Sequence, residues 1–175
     1  MLKKNIVLIG MMAAGKTTIG YKLAKALKYD FFDIDSEIEK SENEKIVNIF
    51  QNKGEEYFRK IEEKISLVFL DKNKSVISIG GGAFLNNKIR DKIKKNSYSF
   101  WLKSKIKTIL YRISKNKRRP LALKLNKKDL TNLYRDRIKF YKLSDFKINC
   151  ENKDKNEIIN NIFKILENEN SSNQY

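Results

Sequence analysis

The chain has 175 residues, a net charge of +17, a single cysteine and no histidine. This length suits one domain with a proper hydrophobic core. Because Cys150 is the single cysteine, an internal disulfide is excluded, and the lack of histidine leaves acid–base chemistry to carboxylates, lysines and tyrosines. The first apolar run is too short for a signal peptide or a membrane span, and the positive charge is spread along the chain, so we expect a cytoplasmic protein with neither a membrane nor a nucleic-acid partner.

A phosphate-binding loop follows the first predicted strand, residues 5–9. The stretch Gly10-Met11-Met12-Ala13-Ala14-Gly15-Lys16-Thr17-Thr18 fits the pattern G-x-x-x-x-G-K-[ST], and apolar residues at helical spacing follow it as far as Leu27. A loop between a strand and a helix can turn backbone N–H groups inward around phosphate oxygens. Lys16 would reach the β- and γ-phosphates, and the Thr17 hydroxyl could ligate Mg²⁺. We therefore predict a protein that binds a nucleoside triphosphate.

Two carboxylates mark the end of the second predicted strand, residues 31–34. In an extended segment Asp33 and Asp35 would point to the same side, because side chains alternate with period two. A phosphotransferase needs one carboxylate near Mg²⁺ and another to orient or deprotonate the accepting hydroxyl. The alternative is that both are turn residues beside Ser36, which could cap the next helix.

A helical turn or two over 46–50 is predicted to stop near Gly54, and an amphipathic helix is predicted over 55–70. Arg59 on this helix has Glu62 three residues further along. The pair could be an exposed ion pair of little energetic consequence. Alternatively, Glu62 orients the guanidinium towards the anionic group of a substrate.

The strand predicted over 75–79 ends abruptly in Gly80-Gly81-Gly82, which suggests either close backbone approach to a ligand or a tight turn. A helix over 86–95, a strand over 98–102 and a helix over 106–113 should follow. Arg90 and Arg135 are expected to be plain surface cations.

The segment 114–127 loses periodicity and contains Arg118-Arg119-Pro120, where an arginine on a closing loop could stabilise charge on a γ-phosphate. It could equally be a solvated basic loop. Beyond it we predict a helix over 130–141, a strand over 146–149, a helix over 158–166 and a polar tail from 169 onwards.

Strands that alternate with helices favour an α/β fold with a parallel sheet covered on both faces. Ligands of such sheets bind outside the carboxyl ends of the strands. The phosphate loop, Asp35 and the triple glycine each follow a predicted strand, so they should converge on one crevice.

Taken together, these motifs resemble the shikimate kinase family over residues 4–165. The resemblance rests on the phosphate loop, the stretch from Asp33 to Glu39, Gly54-Glu55-x-x-Phe58-Arg59-x-x-Glu62-Glu63, the triple glycine and Arg119-Pro120-Leu121, which stand in the family's order. It implies a P-loop fold like that of nucleoside monophosphate kinases, with a five-stranded parallel sheet flanked by helices. It further implies a single kinase domain over 1–168, with a substrate-binding segment near 33–62, a lid near 114–127 and a polar tail over 169–175.

The resemblance also assigns residues to each substrate. Asp33 would support Mg²⁺ alongside Thr17, while Asp35 would contact the hydroxyls of shikimate, including the one that attacks. The shikimate carboxylate would be held by Arg59 and Arg137, with the backbone of Gly80, Gly81 and Gly82 completing the pocket. ATP would be bound by Ala13, Ala14, Gly15, Lys16, Thr17, Thr18, Arg112 beside the adenine, and Arg119 near the γ-phosphate. The catalytic residues would be Lys16, Asp35 and Arg119.

The implied reaction converts ATP and shikimate into ADP and shikimate 3-phosphate, with Mg²⁺ as cofactor and the enzyme a monomer. Another small-metabolite kinase of the same fold, such as a gluconate kinase, is the alternative. Two positions depart from the family pattern. Ala13 stands where glycine is usual, which is costly only if φ is positive there. Lys139 stands where Arg-x-Pro-x-Tyr has proline, which leaves Arg135 as a possible substitute for Arg137.

Overall fold

A computed structural model describes residues 5–115 and 126–172. The described residues form five strands, namely β1 Asn5–Ile9, β2 Asp30–Asp33, β3 Ser75–Ser78, β4 Ser97–Lys103 and β5 Phe146–Asn149. The helices are α1 Lys16–Leu27, α2 Ile34–Glu42, α3 Ile46–Leu70, α4 Asn87–Asn96, α5 Ile106–Lys115, α6 Lys127–Tyr141 and α7 Lys155–Ser172. A short 3₁₀ turn, Ala83–Leu85, precedes α4.

The five strands form one parallel sheet, as predicted, and their order is β2-β3-β1-β4-β5. Ile6 and Leu8 of the central strand pack into a core with α1, α5 and α7, whereas Val7 and Ile9 pack into a second core with α2, α3 and α4. Strands buried on both faces are continuously apolar, which explains why β1 lacks the polar alternation of a half-exposed strand. The order brings the carboxyl ends of β1, β2 and β3 together at one edge.

The second strand ends earlier than predicted. It stops at Asp33, and α2 begins at Ile34, so Asp33 and Asp35 do not share an extended segment and Ser36 does not cap the helix. The reason is tertiary: Ile34 and Ile38 lie one helical turn apart and are both fully buried, so the core selects an early helix start. Asp35 consequently lies in the first helical turn, next to Asp33 at the end of the strand.

Helix α3 has a break at Gly54, which has φ +83° and ψ 173° and separates the two predicted helical segments. At the other end of the chain, α7 extends to Ser172, past the predicted start of the tail at 169. Most of the predicted lid, with Arg118, Arg119 and Pro120, lies outside the described residues. None of the helices in the described ranges is long and apolar enough to cross a membrane.

Candidate active site

The phosphate-binding stretch from Gly10 to Thr18 runs from the end of β1 into the first turn of α1 and has an unusual backbone. Gly10 has φ +148°, and a Cβ there would lie 2.9 Å from the Leu102 carbonyl oxygen, so glycine is required both for conformation and for space. Gly15 has φ +98° and immediately precedes the first turn of α1. The loop therefore leads directly into a helix N-terminus, which favours negative charge.

Ala13 is the unusual residue of this loop, because its φ of +61° lies in the left-handed region. The condition stated for this position is therefore met, and we expect alanine here to cost conformational free energy. Its carbonyl oxygen accepts a hydrogen bond from Arg112 Nη1 at 3.3 Å. This contact connects α5 to the loop.

Lys16 and Thr17 begin α1, and their side chains reach different partners. The buried Lys16 ammonium donates to the carbonyl oxygens of Gly10 at 2.9 Å and Met11 at 3.2 Å, so the charge lies over the loop. The Thr17 hydroxyl donates to Asp33 Oδ2 at 2.6 Å. The sequence-predicted pair of oxygen ligands, Thr17 and Asp33, is therefore brought together.

A cavity of about 390 Å³ adjoins the loop at the carboxyl ends of the strands. Its lining includes all of the predicted acceptor and metal residues together with Lys16 of the phosphate loop, namely Lys16, Thr17, Asp33, Asp35, Arg59, Gly80, Gly81, Gly82 and Arg137. The structure also places Met12, Ile46, Val47 and Phe58 in the lining. These side chains give the cavity apolar walls between its charged groups, as is usual for small-molecule sites.

Arg59 is held by two carboxylates of its own helix. Its Nη1 donates to Glu62 at 2.6 Å, and its Nη2 donates to Glu55 at 2.9 Å. Only 3% of the Glu62 side chain is exposed, and burial raises the pKa of this carboxyl above its usual range although Arg59 opposes the shift. The pair is thus not an exposed ion pair, and the interpretation in which Glu62 orients the guanidinium is favoured.

Arg137 enters the same cavity from α6 and is 8% exposed. Its Nη1 contacts Met11 Sδ at 3.8 Å, and the side chain also donates to the Tyr141 hydroxyl oxygen, but its buried Nε has no hydrogen-bond partner among the described residues. A buried donor without a partner is costly unless a ligand supplies one. The site therefore favours an anionic group close to Arg137.

The triple glycine provides space for charged side chains. A Cβ at Gly80 would collide with Glu62, one at Gly81 would lie 2.9 Å from Arg137 Nη1, and one at Gly82 would lie 2.6 Å from Arg59 Nη1. None of the three glycines has a positive φ, so the turn itself does not require them. The segment does form a tight turn, in which the Ala83 N–H donates to the Gly80 carbonyl at 3.1 Å, but glycine is required here by the close approach of the protein's own ionic groups. Close approach to a ligand stays a prediction.

A second cavity, of about 550 Å³, lies on the other side of the phosphate loop. Its lining joins Ala13, Ala14, Gly15, Thr18 and Arg112, all predicted to bind ATP, to the segment Lys153–Asn156, which was not predicted. This segment follows the carboxyl end of β5, and that position was the available signal, since ligands of parallel sheets bind there. A smaller cavity of about 250 Å³ lies between the two and is lined by Thr17, Asp33, Asp35 and Arg112 among others.

The remaining arginines are distributed differently. Arg135 is exposed and does not line the acceptor cavity, so it does not substitute for Arg137. The prediction for Arg90 was wrong, because it is half-buried and donates to the Phe84 carbonyl at 2.7 Å while lying over the Phe140 ring. Arg119 belongs to the segment outside the described residues.

The phosphate loop between β1 and α1, the five-stranded parallel sheet and the charged cavity beside them define a P-loop kinase with the fold of nucleoside monophosphate kinases. A family model described as shikimate kinase matches residues 12–167. The chain belongs to the shikimate kinase family.

Individual proteins support this assignment. A shikimate kinase of Persephonella marina is 40% identical over 159 residues, which are 91% of this chain and 96% of the relative. The structure of shikimate kinase from Acinetobacter baumannii in complex with shikimate matches with a TM-score of 0.88 at 29% identity, over 98% of this chain and 94% of that one. A gluconokinase from Sinorhizobium meliloti matches over 99% of this chain and 98% of its own with a TM-score of 0.63, but at 15% identity this shows the fold alone.

Proposed function

We propose that this enzyme transfers the γ-phosphoryl group of ATP to the 3-hydroxyl of shikimate, giving ADP and shikimate 3-phosphate. The observation that carries the proposal is the acceptor cavity, whose lining combines two arginines and Asp35 with Lys16 and Thr17 of the phosphate loop. Family membership and the shikimate complex of the Acinetobacter relative support it. The gluconate kinase alternative is less well supported, since its likeness extends to the fold only.

Shikimate carries one carboxylate and three ring hydroxyls, and the cavity has groups suited to both. Arg59 and Arg137 provide planar guanidinium groups for the carboxylate, which prefers paired N–H donors. Asp35 provides an acceptor for hydroxyl groups on the side that faces the phosphate loop. Their positions on α2, α3 and α6 mean that the substrate would be held from three separate helices.

Mg²⁺ fits the polar groups between the two substrates. The Thr17 hydroxyl and the Asp33 carboxylate are hard oxygen ligands already within 2.6 Å of each other, and both line the cavity at the phosphate loop. We assign Thr17 as a ligand and Asp33 as a support that acts mainly through water. The ion would neutralise charge on the phosphates.

Transfer would be direct and in line, without a phosphoenzyme. Catalysis then consists of positioning and charge neutralisation, with Lys16 on the β- and γ-phosphates and Arg119 closing over the γ-phosphate. Because the transition state is loose and the hydroxyl loses its proton late, the main contribution of Asp35 is to orient that hydroxyl. Arg112 and the loop residues 13–18 would hold the nucleotide.

All of these groups come from one chain, so we further propose that the enzyme is a monomer. We also propose that it acts in the cytoplasm.

A coupled assay of ADP release tests the proposal. We expect Mg²⁺-dependent turnover with shikimate and none above background with gluconate or nucleoside monophosphates. Turnover with gluconate instead would establish the alternative. ATP binding without turnover of any acceptor would show a nucleotide-binding protein that has lost catalysis, and either result would refute the proposed reaction.

A further inference from the structure

Tyr141, the last residue of α6, is fully buried and does not line the acceptor cavity. Its hydroxyl donates to the carbonyl oxygen of Gly81 at 2.6 Å, and its ring packs against Trp101 of the central part of the sheet at a centroid distance of 5.9 Å. Burial raises the pKa of Tyr141 to about 12 although Arg137 opposes the shift, so the hydroxyl remains a donor at physiological pH. The side chain thus connects the sheet to the triple glycine.

Gly81 is where three parts of the site meet. A Cβ on Gly81 would lie 2.9 Å from Arg137 Nη1, 3.3 Å from the Tyr141 hydroxyl and 3.4 Å from the carbonyl oxygen of Gly10. Gly10 in turn accepts from the Lys16 ammonium at 2.9 Å. A shift of the Gly81 backbone would therefore disturb both the guanidinium of Arg137 and the beginning of the phosphate loop.

Arg137 and Tyr141 lie one helical turn apart and face the same glycine. The Arg137 side chain donates to the Tyr141 hydroxyl oxygen, while that hydroxyl donates its own proton to the Gly81 carbonyl at 2.6 Å. The Nε of Arg137 has no hydrogen-bond partner among the described residues, so a ligand could supply one.

We propose that Tyr141 is a positioning residue: its hydroxyl, fixed by the Gly81 carbonyl, holds the Arg137 guanidinium towards the anionic group of the substrate. This inference rests on the proposed function, in which that group is the shikimate carboxylate. Without the hydroxyl, the Gly81 carbonyl loses its donor and the guanidinium loses an acceptor that fixes its orientation. The residue acts through Arg137 and does not itself touch the substrate.

The test is Tyr141→Phe, which keeps the ring and removes only the donor. We expect the KM and the dissociation constant of shikimate to rise about 5- to 10-fold, the factor that corresponds to one hydrogen bond, while the KM of ATP changes less than about twofold. Tyr134→Phe is the matched control. It removes a hydroxyl on the same helix that donates to the Ser104 carbonyl at 2.8 Å, at a position that does not line the acceptor cavity, and it should leave shikimate binding unchanged.

A double-mutant cycle with Arg137→Lys separates positioning from a general structural effect. If Tyr141 acts through Arg137, then Tyr141→Phe should cost little further shikimate affinity once the guanidinium is gone. Multiplicative losses in the double variant, equal increases in both KM values, or a Tyr141→Phe variant indistinguishable from the parent would each overturn the inference. A parent chain that neither binds nor phosphorylates shikimate would instead refute the proposed function, and this inference with it.

Discussion

Replacing Ala13 by glycine should stabilise the protein. Ala13 has φ +61°, and an L-residue in the left-handed region costs about 1–2 kcal/mol. Glycine removes that cost but gives the unfolded chain more conformational freedom, which offsets about 0.4–1 kcal/mol. The net gain is about 0.5–1 kcal/mol, which for a chain of this size raises the Tm by about 1–4 °C.

The neighbouring residue offers a control of opposite sign. Ala14 is 3% exposed and is not among the described residues with positive φ, so Ala14→Gly loses a buried methyl group and adds backbone freedom without relieving strain. Its Tm should fall, by about 2–4 °C for a loss of about 1 kcal/mol. Thermal unfolding of both variants and the parent, followed by circular dichroism without nucleotide, makes the comparison. If Ala13→Gly lowers the Tm as Ala14→Gly does, the left-handed backbone is not a source of strain.

Three further variants test the roles in the acceptor cavity. Asp35→Asn should reduce kcat about 100-fold or more while ATP still binds, and substantial turnover with shikimate would rule out the orienting role. Arg59→Lys should raise the shikimate KM about 10- to 100-fold, because a point charge does not reproduce the paired donors; a changed ATP KM with a normal shikimate KM would contradict this. The raised pKa of Glu62 means that its contribution to stability is fully present below the ordinary value of 4.5 and is lost as the pH rises through the higher folded-state pKa. The Tm of Glu62→Gln should therefore rise relative to that of the parent as the pH is raised from about 4 to 7. A Tm difference between the two proteins that does not change with pH would argue against a buried, destabilised carboxylate.

Features encoded locally were predicted well from the sequence. The phosphate loop depends on a contiguous motif between a strand and a helix, and the five strands are short apolar runs separated by helical periodicity. The break at Gly54 was likewise visible, because one glycine interrupts two amphipathic segments. In each case the deciding interactions lie within about 20 residues of one another.

Features decided by packing between distant segments were not predicted. The early start of α2 depends on Ile34 and Ile38 reaching the core, and this moved Asp35 from a strand to a helix without removing it from the cavity. The triple glycine could be interpreted as a turn or as a ligand contact, because its actual neighbours, Glu62 and Arg137, are 18 or more residues away in the sequence. Sequence spacing alone carries no information on which side chain fills the space that a glycine leaves.

The two departures from the family pattern show the same dependence on backbone context. Lys139 occupies a position on α6 where its side chain is 72% exposed and paired with Asp136 at 3.5 Å, and the helix continues unbroken to Tyr141. Arg137 and Tyr141 lie at i and i+4 on the inward side, so the residue between them on the outer side does not affect their approach to Gly81. A proline there is therefore not needed to place the arginine. At Ala13 the backbone is itself in the left-handed region, so alanine in place of the usual glycine does matter. Its cost in conformational free energy falls on the loop that binds phosphate.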